Sequence, residues 1–263
     1  MELNLPAKCF ISHSYKDAAV RDQLVAKLPL DVPFIFPQIN KPDELVSNHL
    51  IEAILKCDGL IYLKGGKSEE SFWVAFERDY ALRAGKQVYS FDPVSLQIEP
   101  DTSSPLDLAV FASYARKDGN RIREITKFLS AERYFDIWID TEDIEVGSNY
   151  AEALENGIND QIKRGGYLVA FWSNSASKSE VVEMEIKNAI QSQPDDTKNQ
   201  RFLFARLDNC PLPESITDYD VPTVQLYGDQ TLTETQRLDD LVVRLYWLIY
   251  RNTKSLDLEQ NAE

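Results

Sequence analysis

Short apolar runs alternate with amphipathic stretches along most of the chain. Four runs within residues 1–92 predict strands: AKCFIS, VPFIFP, GLIYLK and QVYSF. The stretches between them carry apolar residues at helical spacing: KDAAVRDQLVAKL, PDELVSNHLIEAIL and SFWVAFERDYALRAGK. Apolar strands that alternate regularly with helices are typical of a parallel sheet covered by helices on both faces.

The same order of elements recurs in the second half of the chain. FISHSYKD (10–17) and FASYARKD (111–118) share Phe, Ser, Lys and Asp in register. SFWVAFE (71–77) and SEVVEME (179–185) match at an offset seven residues larger. The chain therefore contains two versions of one unit, and the second has a longer loop after its second strand.

Four segments follow from this repeat. Residues 1–92 form a truncated first unit, and residues 93–106, rich in Pro, Ser and acidic residues, are expected to be a linker. Residues 107–252 form a second unit, which adds the strand VPTVQLYG and the helix TQRLDDLVVRLYWLIY. Residues 253–263 are expected to be a disordered tail.

Composition excludes several classes of function. The net charge of −15 disfavours nucleic acid as a partner. No apolar stretch is long enough and free enough of charge to cross a membrane. The three cysteines have no metal-ligand spacing, and their odd number argues against a disulfide framework, so we expect a cytoplasmic location and no metal.

Three motifs, taken in order, resemble the Toll/interleukin-1 receptor (TIR) domain family. FISHSYKD is similar to the first box of that family, and WIDTEDIEVGSNY (138–150) to its second box, the BB loop. SFWVAFE matches the pattern Ser-x-Trp-x-x-x-Glu at the start of the helix after the third strand. The resemblance covers nearly all of residues 1–250, twice, and implies two flavodoxin-like α/β units, each a mostly parallel sheet with helices on both faces.

The resemblance also implies an activity. Some TIR domains, many of them in bacterial antiviral defence, cleave NAD to nicotinamide and ADP-ribose or a cyclic product, with the helix glutamate as catalytic residue. Here that residue is Glu77, with Glu185 as its counterpart, and NAD is a substrate rather than a cofactor. Trp73, one turn before Glu77, is a candidate for stacking on the nicotinamide ring.

Further substrate-binding candidates come from the two boxes. His13, Ser14 and Tyr114 follow the first strands, at the edge where parallel sheets bind ligands. Glu145 and Gly147 lie in the BB loop of the second unit, whereas the first unit has PQINKPDEL at that position. The hypothesis is a composite site, in which Glu77 and Trp73 are covered by the loop around Glu145–Tyr150 of another unit.

Each candidate has a plainer alternative. Glu77 is then a helix glutamate that pairs with a basic residue or reaches solvent, Trp73 a core residue, and Ser14 the cap of a turn. The alternative function is a non-catalytic tandem TIR scaffold that acts through homo-oligomeric assembly with other TIR domains. A receiver domain is excluded, because no aspartate ends the third strands LKGG and FWSN.

Overall fold

The computed structural model describes residues 5–36, 46–106, 110–135, 137–139, 166–191, 201–214, 221–228 and 231–260. The chain divides into two compact units, Met1–Leu106 and Asp107–Glu263. Each unit is an α/β domain with a mostly parallel sheet flanked by helices, which confirms the predicted fold class.

The first unit has a five-stranded sheet in the order β2-β1-β3-β4-β5. Its strands are β1 (Cys9–Ser12), β2 (Pro33–Phe34), β3 (Gly59–Leu63), β4 (Gln87–Asp92) and β5 (Gln97–Pro100). Strands β1 to β4 are parallel, and β5 pairs antiparallel with β4, where Tyr89 faces Pro100. Its helices are α1 (Ala18–Val25), α2 (Val46–Leu55), α3 (Gly66–Glu69) and α4 (Phe72–Arg83).

Burial of the central strands explains why they read as unbroken apolar runs. All four residues of β1 are buried, and all but one of the five residues of β3. One core cluster joins Cys9 and Ile11 of β1 to Leu24 of α1, Ile61 of β3 and Phe91 of β4. A parallel strand covered on both faces has no solvent side, so polar alternation is lost.

The second unit repeats this architecture with an all-parallel sheet in the order β10-β9-β8-β6-β7. Its strands are β6 (Val110–Tyr114), β7 (Ile137–Ile139), β8 (Tyr167–Trp172), β9 (Phe202–Arg206) and β10 (Thr223–Gln225). The described helices are α5 (Gly119–Arg133), α6 (Glu180–Gln191) and α7 (Glu234–Gln260). In both units the first and third strands lie side by side in the centre of the sheet, where the chain reverses its direction of winding.

Two expectations about the end of the first unit are corrected. Residues 93–106 are not merely a linker, because Gln97–Pro100 form β5 against β4. The first unit is therefore not short of a fifth strand; a hairpin supplies it where the second unit uses a crossover. The Pro- and acid-rich composition is compatible with an exposed edge strand, whose residues are half-buried at most.

The expected tail is also corrected over most of its length. Helix α7 continues through Gln260 rather than ending near residue 252. Its apolar face packs into the unit through Leu241, Leu245 and Leu248, each fully buried. Within the ranges described above, no helix is long and apolar enough to cross a membrane.

Candidate functional site

The helix glutamate of the first unit is held by the end of a strand. Glu77 lies in the second turn of α4 and is 8% exposed, and Ser12 is the last residue of β1 and fully buried. The Ser12 Oγ donates a hydrogen bond to the Glu77 Oε2 at 2.5 Å. Among the described residues Glu77 therefore pairs with no basic side chain, and it does not point into solvent, contrary to its plainer alternative.

The second unit contains the same pair. Ser113 is on β6, and its Oγ donates a hydrogen bond to the Oε2 of Glu185 on α6. Both residues are buried, Ser113 to 1% and Glu185 to 4% exposure. Sequence reasoning named the glutamates but not the serines as site residues. The signal for them was present, since Ser12 and Ser113 occupy the same position in the repeated first box.

Burial determines the charge state of Glu77. Removal from water raises the pKa of its carboxyl to about 8, although the hydrogen bond from Ser12 acts in the opposite direction. The carboxyl therefore holds a proton at neutral pH. A cation placed beside it would lower this pKa again, because an opposite charge favours the ionised form.

The residues that follow β1, His13 and Tyr15, lie beside the Ser12–Glu77 pair and are here called its polar rim. Tyr15 is 48% exposed, and burial together with the nearby charge of Glu77 raises the pKa of its phenol. Its ring packs edge-on against His13, with the ring centroids 5.8 Å apart. Sequence reasoning missed Tyr15. Its counterpart in the repeat is Arg116, so the two rims differ in charge.

The imidazole of His13 is held in the neutral form. Its Nδ1 lies 3.2 Å from the carbonyl oxygen of Ile11, and its Nε2 lies 3.3 Å from the Nη1 of Arg21. Since Arg21 can only donate, Nε2 accepts and Nδ1 carries the proton. Burial, supported by the charge of Arg21, lowers the pKa of His13. The ring is therefore fixed in orientation next to Ser12.

Ser14 caps the turn after β1, as its plainer alternative supposed. Its Oγ accepts a hydrogen bond from the Lys16 backbone nitrogen at 3.4 Å. Its own backbone nitrogen donates to the Oγ of Ser68 at 2.9 Å. Ser68 belongs to α3, in the segment that follows β3, so Ser14 helps to join the two segments that border the site.

A second pair of hydrogen-bonded residues recurs in both units and joins the same two loops. The carboxylate of Asp17 accepts from the Oγ of Ser68 at 2.7 Å, and that of Asp118 accepts from the Oγ of Ser173 at 2.6 Å. Asp17 also accepts from the backbone nitrogens of Lys67 and Ser68. The turn at Gly65 and Gly66 thus already binds an internal carboxylate.

The residue one helical turn before each glutamate is exposed in both units. Trp73 is 40% exposed and Val181 is 38% exposed, so Trp73 is not a core residue. The Trp73 ring contacts Phe72 and Phe76, with centroid distances of 5.2 and 6.3 Å. At this position the first unit therefore offers an aromatic face, and the second unit offers the aliphatic side chain of Val181.

Two further differences separate the second unit. Tyr114, at the end of β6, is half-buried where the first unit has His13. The side-chain nitrogen of Asn188, one turn after Glu185, is buried and has no hydrogen-bond partner among the residues the structure describes. Its counterpart is Tyr80, so the glutamate of the second unit has a more polar surround.

The remaining candidates lie outside the described residues. Glu145 and Gly147 both fall in the stretch 140–165, and the whole of PQINKPDEL, the shorter loop of the first unit, falls in 37–45. The composite site therefore stays a hypothesis. No group of three or more metal-ligating side chains occurs among the residues with described positions.

Comparison with known proteins identifies the second unit. Residues 110–242, just over half of the chain, match the TIR domain family. A crystal structure of the TIR domain of the Toll-related receptor TRR-2 from Hydra magnipapillata is similar over 44% of this chain and 84% of that chain, with 12% identity and a TM-score of 0.35. No curated protein matches. Through residues 110–242, the chain belongs to the TIR domain family.

Proposed function

We propose that this protein cleaves the bond between nicotinamide and ribose in NAD, and that its first unit is a second, divergent TIR-like domain. The observation that carries the proposal is the buried Ser12–Glu77 pair, which recurs as Ser113–Glu185. Each pair lies at the carboxyl end of a central strand, the edge at which open parallel sheets bind ligands. The family to which the chain belongs includes enzymes that act on NAD.

The chemistry requires little more than a positioned carboxylate. When the glycosidic bond breaks, its electron pair leaves with the positively charged pyridinium, which becomes neutral nicotinamide, so no general acid is needed. The ribose develops oxocarbenium character, and a carboxylate in a poorly hydrated site stabilises that charge. Water then captures the ribose carbon and loses a proton to give ADP-ribose, or an adenine nitrogen captures it to give a cyclic product.

The first unit is the better candidate for the working site. Ionised Glu77 is costly in its buried position, and the cationic ring of NAD would stabilise that ionised form on binding. Trp73 offers an exposed indole face one turn away. His13 and Tyr15 border the same pair, and Ser14 fixes their turn. We further propose that assembly brings a BB loop with Glu145 and Gly147 over this site, and that the activity serves antiviral signalling in the cytoplasm.

The experiment is nicotinamide release from NAD across a series of protein concentrations, with the products separated by chromatography. Glu77→Gln and Glu185→Gln are compared with the native chain and with Glu183→Gln as control. Glu183 is on the same helix as Glu185, but its side chain is 64% exposed and pairs with Lys187. We expect Glu77→Gln to abolish release and Glu183→Gln to preserve it. Loss with Glu185→Gln alone would reject the first unit as the working site.

A tandem TIR scaffold without catalysis is the second candidate. It is favoured by the second unit, in which Val181 stands where the first unit has Trp73, and Asn188 where it has Tyr80. A scaffold predicts no nicotinamide at any protein concentration, together with self-association that Glu77→Gln leaves unchanged. Sedimentation of both forms measures that association.

A further inference from the structure

Residues Asp101–Leu106, here called the strap, connect β5 to the second unit and are bound along helix α4. The Nε of Arg78 donates to the Asp101 Oδ2 at 2.6 Å, and its Nη2 donates to the Ser103 Oγ at 2.6 Å. The backbone nitrogen of Ser103 in turn donates a hydrogen bond to the Asp101 Oδ1. One arginine of the helix therefore holds two positions of the strap.

The last residue of the strap is bound by its backbone. The nitrogen of Leu106 donates to the Asp79 Oδ1 at 2.5 Å, and the Nη2 of Arg83 donates to the Leu106 carbonyl oxygen. Asp79 is 6% exposed and pairs with Arg83 at 3.1 Å. The Leu106 side chain is itself 44% exposed, so charged side chains rather than apolar burial fix this end.

The helix of the second unit lacks these side chains. In register with Arg78, Asp79 and Arg83, α6 carries Ile186, Lys187 and Gln191. Lys187 is bound within its own helix, to Glu183 at 2.7 Å. The shared fold therefore does not require the three strap-binding residues, which occur in α4 and not at the matching positions of α6.

We propose that Arg78, Asp79 and Arg83 are positioning residues for Glu77, and that they act through the docked strap. This proposal rests on the proposed function. Arg78 and Asp79 directly follow Glu77 in the helix, so a rotation or slide of α4 that separates Glu77 from Ser12 also breaks the strap contacts. Such a movement leaves a buried charge without its partner, which opposes it. The docked strap thereby holds the carboxylate in one place before substrate arrives.

The test compares Arg78→Gln and Ser103→Ala in the full chain with Lys56→Gln as control. Lys56 forms an exposed ion pair with Glu52 on α2. Amide hydrogen exchange is measured for α4 and for the strap, and kcat and KM are measured for nicotinamide release. Ser103→Ala removes only a surface hydroxyl and keeps all the charged groups, so exchange and kinetics can be measured on it even if Arg78→Gln fails to fold.

We expect Arg78→Gln to raise exchange in both segments about tenfold, and to lower kcat about tenfold without changing KM. Ser103→Ala should give a smaller effect of the same kind, and Lys56→Gln none. Faster exchange in the strap with α4 unchanged would overturn the proposal, as would no change in either segment. Exchange in α4 could rise as expected while no form of the chain releases nicotinamide. The proposed function would then be wrong, and the conclusion that the strap positions α4 would remain.

Discussion

Ser12 and Glu77 are 65 residues apart in the chain, and their side chains are joined by a buried hydrogen bond of 2.5 Å. The pair links the end of β1 to the second turn of α4, and Ser113 and Glu185 form the same link in the second unit. Because the hydroxyl donates to the carboxyl, it favours the ionised state and partly offsets the effect of burial, which keeps Glu77 neutral at pH 7.

Removal of the Ser12 hydroxyl should therefore make Glu77 harder to ionise. We expect Ser12→Ala to raise the pKa of Glu77 further and to cost about 1 kcal/mol of folding stability. Nicotinamide release at pH 7 should fall, because less of the carboxyl is ionised. The matched variant Ser113→Ala tests whether the second unit contributes. Unchanged release in Ser12→Ala would show that this hydrogen bond does not tune the working carboxylate.

The stability of the chain should depend on pH through Glu77. The pKa of this group in the folded protein, about 8, lies above the ordinary value of 4.5. Its favourable contribution is therefore complete below pH 4.5 and is lost as pH rises through 8, by up to about 5 kcal/mol. Denaturant unfolding between pH 5 and 9 should show Glu77→Gln gaining stability relative to the native chain. If the free energy of unfolding changed with pH in the same way in both proteins, Glu77 could not be a buried, neutral group.

Trp73 and Phe76 are adjacent aromatic residues of α4 with opposite environments. Phe76 is 1% exposed, so Phe76→Ala should cost about 3–5 kcal/mol in folding stability. Trp73 is 40% exposed, and Trp73→Ala should cost clearly less. If its indole stacks on substrate, Trp73→Ala should instead raise the KM for NAD about tenfold. A KM equal to that of the native chain would remove Trp73 from the site.

Gly66 should tolerate no side chain. Its φ of +59° is a conformation that other residues rarely adopt, and a Cβ there would lie 2.9 Å from the Asp17 Oδ1. We expect Gly66→Ala to cost about 2–3 kcal/mol, the sum of backbone strain and displacement of the carboxylate. Gly85 has a φ of +67° but open space around it, so Gly85→Ala should cost about 1 kcal/mol. Equal losses in denaturant unfolding would mean that the contact with Asp17 adds nothing.

Asp101 should make the first unit sensitive to acid. Although burial acts against ionisation, the hydrogen bonds from Arg78 and Ser103 lower the pKa of Asp101 to about 2. A lowered carboxyl pKa stabilises the fold above the ordinary value of 3.8 and loses that contribution as pH falls through 2. Since Arg78 is partly exposed, the contribution is about 1–2 kcal/mol. Asp101→Asn should remove it, so the stability gap to the native chain should close between pH 5 and pH 2.

The sequence was sufficient to predict those features of the fold that depend on a local pattern of residues. The alternation of strands and helices, the repeat and the two helix glutamates all follow from apolar spacing and from motifs in register. Strand β5 could not be predicted in this way, because Gln97–Pro100 becomes a strand only through pairing with β4. The extension of α7 beyond residue 252 was missed since a polar segment after an apolar helix reads as a tail.

The serines that hydrogen-bond to the two glutamates also could not be predicted from local sequence patterns. Ser12 is one serine among several near the first box, and its choice over Ser14 depends on which residue ends β1 facing α4. Likewise the carboxylate of Asp17 lies against the turn at Gly66, and nothing in the local sequence predicts that contact. Contacts across more than fifty residues arise from the packing of the sheet against its helices, and spacing alone does not encode them.

The antiparallel course of β5 has a consequence for how the first unit is tethered. A fifth parallel strand would finish at the same edge of the sheet as Ser12, but β5 runs back, and the nitrogen of Asp101 bonds to the carbonyl of Val88 near the start of β4. The chain therefore leaves the sheet at the edge formed by the amino ends of the parallel strands, opposite the carboxyl ends that border Glu77.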